Sequence, residues 1–273
     1  MSDNKYYHPD YHQLNKKAEL RPKNNNSELK DKLIGRLLPG NPADRLKSYD
    51  PVLAGKLDAT LTAIKNDINW EQKLPKASYL VFDTETTGLH PFTGDEIISI
   101  GAVVIEKGRI NNDKTFYQLV NPNRSISSFS RKITGINEEM LTAQPTIGPV
   151  IADFLQFAGP RIMVAHNAPF DLAFLNIKLS EITGRRIVNP VIDTVLLAKA
   201  IYPSYGDYSL ENLAPRFGID LSGRHHALAD AHIAAALFLH LLTKLSEIDI
   251  INLPQLAGLF SELDQRQRYP LIF

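Results

Sequence analysis

Two carboxylates separated by a single threonine, Asp83 and Glu85, stand where the apolar run Tyr79–Phe82 ends. That run is short and β-prone, and it reads as a buried strand. Side chains at i and i+2 of a strand share a face, so both acids leave the sheet together, with Cα atoms roughly 6.5–7 Å apart. In a partly dry site such a pair repels. Either a cation lies between them or one of them keeps a proton. A hard divalent cation with oxygen ligands is the favoured solution. The competing reading is a strand end with solvated charges, and a lone Asp-x-Glu is too common to choose between the two.

Two further clusters change the balance. In His166-Asn-Ala-Pro-Phe-Asp171, Pro169 suits a first helical turn and places Asp171 near a helix N-terminus, where its charge is favoured. Taken singly, that electrostatic role would explain it. In Gly223-Arg-His-His-Ala-Leu-Ala-Asp230, five residues of helix turn by about 500°, so His225 and Asp230 cannot share a face. They converge only if His225 lies on the loop before the helix and Asp230 one turn inside it. A surface loop histidine is the plainer reading of His225, and His226 reads as one. Asp230 interrupts the Ala/Leu-rich segment 227–242 on a stretch that faces the sheet, and a buried carboxylate there requires a cation or a strong donor.

Taken in order, the three clusters resemble the DEDDh branch of the DnaQ-like exonucleases, a family of RNase H-like fold that includes proofreading epsilon subunits and RNase T. The resemblance spans most of 77–245 and extends to Ile133-Thr-Gly-Ile136, Asp193-Thr194 and Tyr208-Ser-Leu-Glu-Asn-Leu213. It implies two-metal hydrolysis of the 3′-terminal phosphodiester, releasing nucleoside monophosphates, with two divalent cations, Mg²⁺ or Mn²⁺. Asp83 would bridge both cations, Glu85 and Asp230 complete one site, and Asp171 support the other. His225 would be the general base, and Asp83 and Glu85 count with it as catalytic. Thr86, Thr87, Gly88 and Leu89 resemble the loop that meets the terminal nucleotide, and Asn167 and Phe170 the second motif's substrate contacts. For Phe170, core packing and base stacking weigh equally. Elementary chemistry agrees: paired cations about 3.5–4 Å apart stabilise both the entering and the leaving oxygen of an in-line displacement. Histidine titrates near neutrality, which suits proton transfer from the attacking water. A cysteine-free, oxygen-rich donor set points to Mg²⁺ or Mn²⁺.

The partner so implied is a single-stranded nucleic acid 3′ end, DNA favoured over RNA, with a DNA polymerase or sliding clamp as a further candidate. An RNase T-like exoribonuclease is the nearest alternative. A non-catalytic accessory module is disfavoured because all five catalytic positions are kept. A phosphatase or nucleotidase would lack the Thr-Thr-Gly-Leu and Asn-x-x-Phe-Asp contexts.

The elements that must position these residues can be read along the chain. Its 273 residues suffice for one large domain, or one domain plus a small module. Residues 1–27 read as a polar, disordered arm. Residues 28–75 read as a small helical module and linker, with Leu29, Leu33, Leu37 and Leu38 on one helix and Leu53, Leu57, Leu61 and Ile64 on a second. The exonuclease domain is expected over 76–245: a mixed α/β, RNase H-like fold whose five-stranded sheet is flanked by helices. Strands are expected at Tyr79–Phe82, Glu96–Ile105, Thr115–Val120, Arg161–Ala165 and Val191–Ile192, with Lys107-Gly-Arg and Asn111-Asn-Asp as turn residues. Residues 246–273 form a tail whose Leu253–Phe260 stretch faintly resembles a clamp-binding peptide, a helical cap being the preferred reading. Zero formal net charge argues against a protein that coats duplexes and predicts weak, distributive binding. No cysteine is present, which excludes disulfides, thiolate zinc sites and cysteine nucleophiles. With no signal-peptide core and no run read as a membrane span, the expectation is a cytoplasmic protein without membrane contact.

Overall fold

The computed structural model describes residues 50–267; the readings made for 1–49, the polar arm and the first leucine-spaced helix, lie outside the described residues. Helix α1 (Pro51–Asp67) starts on Asp50, whose carboxylate accepts from the Val52 amide at 2.9 Å, with Pro51 preset for the first turn. Its leucine stripe was read as part of an appendage. Instead Leu57, Leu61 and Ile64 are buried in the domain's own core, against residues of α4 (Ile147–Ala158) and α5 (Ala168–Thr183).

Strands β1 (Tyr79–Thr86), β2 (Ile97–Glu106) and β3 (Arg109–Leu119) form an antiparallel meander, and β4 (Ile162–Ala165) and β5 (Val191–Asp193) add parallel strands. The sheet order is β3-β2-β1-β4-β5, the mixed five-stranded, helix-flanked RNase H-like arrangement expected. Two strands run longer than expected: β1 continues past Phe82 to Thr86, so Asp83 and Glu85 lie within it, and β3 begins at Arg109 rather than Thr115. Asn111–Asp113 are not a turn: Lys107 and Gly108, both at positive φ, make the hairpin, and a bulge at Val103/Val104 lets β3 run on through the asparagines. The Ser-rich helix α2 (Ser128–Thr134) was not anticipated; Ser127 caps it, accepting from the Ser130 amide at 3.0 Å. Gly135 ends it in the left-handed region, and α3 (Glu138–Leu141) follows, capped by Asn137.

Strand periodicity divides the core in two. Tyr79 and Val81 point into one cluster, with α6 (Thr194–Ile201), α7 (Leu210–Arg216), α8 (Ala227–Glu247) and α9 (Leu253–Gln267). Leu80 and Phe82 point the other way, into the cluster shared with α1, α4 and α5. One preferred reading holds and one is corrected. The clamp-peptide side chains Leu253, Leu256 and Phe260 are buried in the first cluster, so α9 is a cap and offers no such motif outward. Moreover, 21-residue α8 is long and apolar enough to cross a membrane by composition, contrary to the reading of no such run, but its apolar face is spent on the sheet.

Candidate active site

The site begins with an unequal pair of strands. β4 pairs with β1 only across Tyr79–Val81, while β1 continues to Thr86 with β2 alone beside it. The overhanging edge needs an acceptor for its buried amides. Asp171, on the first turn of α5, supplies one: its Oδ1 accepts from Thr84 N at 3.0 Å and Thr84 Oγ1 at 2.7 Å. The carboxylate thus takes the place of the missing strand's carbonyl. By alternation Thr84 faces the α5 side, whereas Asp83 and Glu85 face the α8 side with Tyr79 and Val81.

On that second side the first turn of α8 lies directly on the sheet. A Cβ on Gly101, which pairs with Asp83, would fall 2.1 Å from Leu228 N and 2.3 Å from Ala227 C. Only glycine permits this approach. It carries Asp230 into the strand's acids, and one oxygen from each of Asp83, Glu85 and Asp230 lies within 4.8 Å of the other two. Asp171 is outside this trio. His225 sits on the turn before α8 at φ 67°, and its amide donates to Asp230 Oδ2 at 3.1 Å, so the loop-then-helix geometry expected for the pair is present. The same Oδ2 is held by Arg224 Nη1, and Arg224 Nη2 is held by Glu211 Oε1.

Electrostatically the cluster is over-full of acid. Burial, then Asp171, Glu85 and Asp230, push the Asp83 carboxyl well above its ordinary range, with Arg224 opposing. Burial and Asp230 push Glu85 up to about 8. Asp171 is pushed by burial to about 7 although Thr84's hydrogen bonds pull it down, and burial raises Asp230 against the pull of Arg224. Four such groups cannot all ionise unassisted. A divalent cation fits what is there: the donors are all carboxylate oxygens, and Asp230 Oδ1 is buried with no hydrogen-bond donor.

The residues expected to meet substrate divide. Leu89 is 38% exposed and Asn167 is exposed, both available for contact. The threonines are not. Thr86 Oγ1 donates to Gly88 O at 2.6 Å, and Thr87, only 1% exposed, donates to Asp95 Oδ1 at 2.9 Å. Their hydroxyls hold in shape the loop that the resemblance assigns to the terminal nucleotide. Gly88 also leaves room for the Asp95 carboxylate, whose Oδ2 a Cβ there would meet at 2.4 Å. Phe170 is half-buried, 5.1 Å from the Phe174 ring and packed on the second core cluster, which favours its packing role.

Sequence reasoning passed over several contributors. Gly101, Arg224, Glu211 and Asp95 carry the geometry just described. Ser130 Oγ donates to Thr86 O, tying α2 to the end of β1. His226, read as a surface histidine, is stacked on Tyr117 with ring centroids 4.4 Å apart. His166 Nδ1 lies 2.8 Å from Thr194 Oγ1, and burial together with Arg224 lowers its pKa to about 4, so it stays neutral as a tie between β4 and α6. The adjacency of Arg224 to His225 was the one local signal available.

Residues 80–238 match the family described as Exonuclease, of the RNase T type. A DNA polymerase III subunit epsilon-like protein of Rhodobacter capsulatus is 45% identical over 177 residues, 64% of this chain and 25% of that protein. A PolC-type DNA polymerase III of Bacillus subtilis is 40% identical over 177 residues, 64% of this chain and 12% of that protein. The chain therefore spans only a small part of the length of these relatives. Among solved structures, exonuclease X in complex with 5′ overhanging duplex DNA is similar at 30% identity with a TM-score of 0.50, covering 60% of this chain and 91% of that one. The nuclease domain of 3′hExo, a DEDDh family member, is similar in fold with a TM-score of 0.55 at 21% identity, covering 62% and 92%.

Proposed function

Because the chain belongs to the exonuclease family, we propose that it removes nucleoside monophosphates stepwise from the 3′ end of single-stranded DNA. The observation that carries this reading is the meeting of Asp83, Glu85 and Asp230 oxygens within 4.8 Å of one another, with Asp230 also keeping a buried oxygen that no donor satisfies. These three would hold one divalent cation, and Asp171, its Oδ1 fixed by Thr84, would support a second beside Asp83. Bound Mg²⁺ or Mn²⁺ supplies charge stabilisation to the phosphodiester as its bond breaks. Within the chain, His225 accepts the proton of the attacking water at its imidazole. Its place is set by the bond from its own amide to Asp230. Leu89, exposed on the loop after β1, is the apolar surface for the terminal base.

DNA is preferred over RNA as substrate because the relatives similar to this segment are DNA polymerase III proteins and exonuclease X was solved on DNA. A polymerase is the proposed partner on the same ground. The test compares wild type with Asp83→Ala on 5′-labelled single-stranded DNA and RNA in Mg²⁺, Mn²⁺ or EDTA. The expected result is a ladder shortening from the 3′ end of DNA, lost in EDTA and in the variant. Faster shortening of RNA would replace the substrate with an exoribonuclease's. No shortening of either strand in any metal would sink the reading.

A further inference from the structure

We propose that Arg224 and Glu211 are positioning residues for the cation site: together they hold one oxygen of Asp230 so that the other is left to bind metal. The proposal rests on the cation-binding role given to Asp230 above.

The guanidinium of Arg224 is a flat fork that can engage two carboxylates at once. Here one arm binds Asp230 Oδ2 and the other binds Glu211 Oε1, and the His225 amide adds a second donor to the same Asp230 oxygen. Oδ2 is thereby saturated and Oδ1 has no donor, a division of labour a free carboxylate would not keep. The pair is shielded from solvent: the side chains of Arg224 and Asp230 are 16% and 5% exposed, so their attraction is little screened. Arg224 Nε is buried without an acceptor, so the polar contacts of the group run through its two arms. Glu211 stands in the first turn of α7, so the fork also fixes α7 against the His225 turn. Burial would raise Glu211, yet the hydrogen bond from Arg224 holds it below its ordinary pKa, keeping it ionised as the anchor.

A lysine at this place would carry the charge without the fork. That difference separates positioning from simple neutralisation. It also separates positioning from competition, in which Arg224 would occupy Asp230 at the expense of metal.

The test is Mn²⁺ binding to the full-length, substrate-free protein, followed by calorimetric titration or by the Mn²⁺ spin-resonance signal, with melting in EDTA as the control for folding. Outer-shell partners of metal ligands are typically worth about 10–100-fold in affinity. Arg224→Gln is expected to weaken Mn²⁺ binding by about that factor, and Arg224→Lys to weaken it equally. Glu211→Gln is expected to weaken binding on its own and to add nothing in the Arg224→Gln background. Arg224→Lys binding like wild type, tighter binding by Arg224→Gln, or additive losses in the double variant would each overturn the proposal. Should Arg224→Gln fail to fold, Arg224→Lys alone and paired with Glu211→Gln decide the same point. Wild type that binds Mn²⁺ no better than Asp83→Ala would overturn the cation site itself, and this proposal with it.

Discussion

Asp83 and Gly101 face each other across the β1–β2 pair, and the side chain that Gly101 lacks is the space in which α8 begins. A backbone position on one strand thus sets how near the acid of a distant helix comes to the acid of another. Neither residue achieves this alone. Asp83 has a partner in Asp230 because Leu228 can rest where a Cβ would be.

Gly101→Ala is therefore expected to abolish activity at a moderate cost in stability. The new methyl must displace helix backbone, which over-packing typically penalises by about 1–3 kcal/mol. Urea unfolding measures that cost, and the labelled-oligonucleotide assay measures the loss. A folded variant with wild-type turnover would show that Asp230 does not need this approach.

Thr84→Val removes the hydroxyl that donates to Asp171 while keeping shape and the backbone donor. If Asp171 must be held to act, turnover falls about tenfold or more, and Thr84→Ser restores most of it. Equal activity in all three proteins would leave Asp171 as a strand-edge acceptor only.

The raised carboxyls make a pH prediction with a definite sign. Glu85 and Asp171 titrate at about 8 and about 7 in the folded protein, above their unfolded values, so the native state binds these protons more tightly. Their contribution to stability is complete below the unfolded pKa and is lost as pH rises through the folded values. In EDTA, Glu85→Gln should melt above wild type near pH 8 and lose that advantage near pH 5, roughly the range over which the group changes charge. Mn²⁺ should raise the wild-type Tm more at the higher pH, since it binds the deprotonated form. A Glu85→Gln difference that is flat with pH would refute the shift.

Leu61→Ala tests whether α1 belongs to the domain. Leu61 is fully buried with Leu57 and Ile64 against α4 and α5. A core deletion of this kind costs about 2–5 kcal/mol. A loss below about 0.5 kcal/mol, usual for surface positions, would return α1 to the status of an appendage.

Much of this was legible in the chain because the signals were local. The i, i+2 spacing of Asp83 and Glu85 set their common face, and the five-residue gap between His225 and Asp230 required a loop followed by a helix turn. What escaped depended on contacts through space. Gly101 looks like any strand glycine until α8 is laid on it. Arg224 finds its acceptors on the next helix turn and thirteen residues upstream. The partners of Thr86 and Thr87 were not legible because the loop's internal demand for hydroxyls, from Gly88 O and Asp95, leaves no pattern in sequence. Leu57 and Leu61 gave a clear helix, but periodicity alone does not say which core a helix joins.

The two-sided core has a consequence for the chain as it is made. Asp83 and Glu85 emerge early, on a strand that cannot be covered on both faces until the helices of each layer have followed. Asp230 comes late, on α8 in one layer, and Asp171 comes between them on α5 in the other. A ribosome-bound fragment ending before residue 227 therefore holds most of the acids but cannot assemble the trio. The trio therefore forms in one step, when α8 packs on the sheet, rather than piecemeal as the strands emerge.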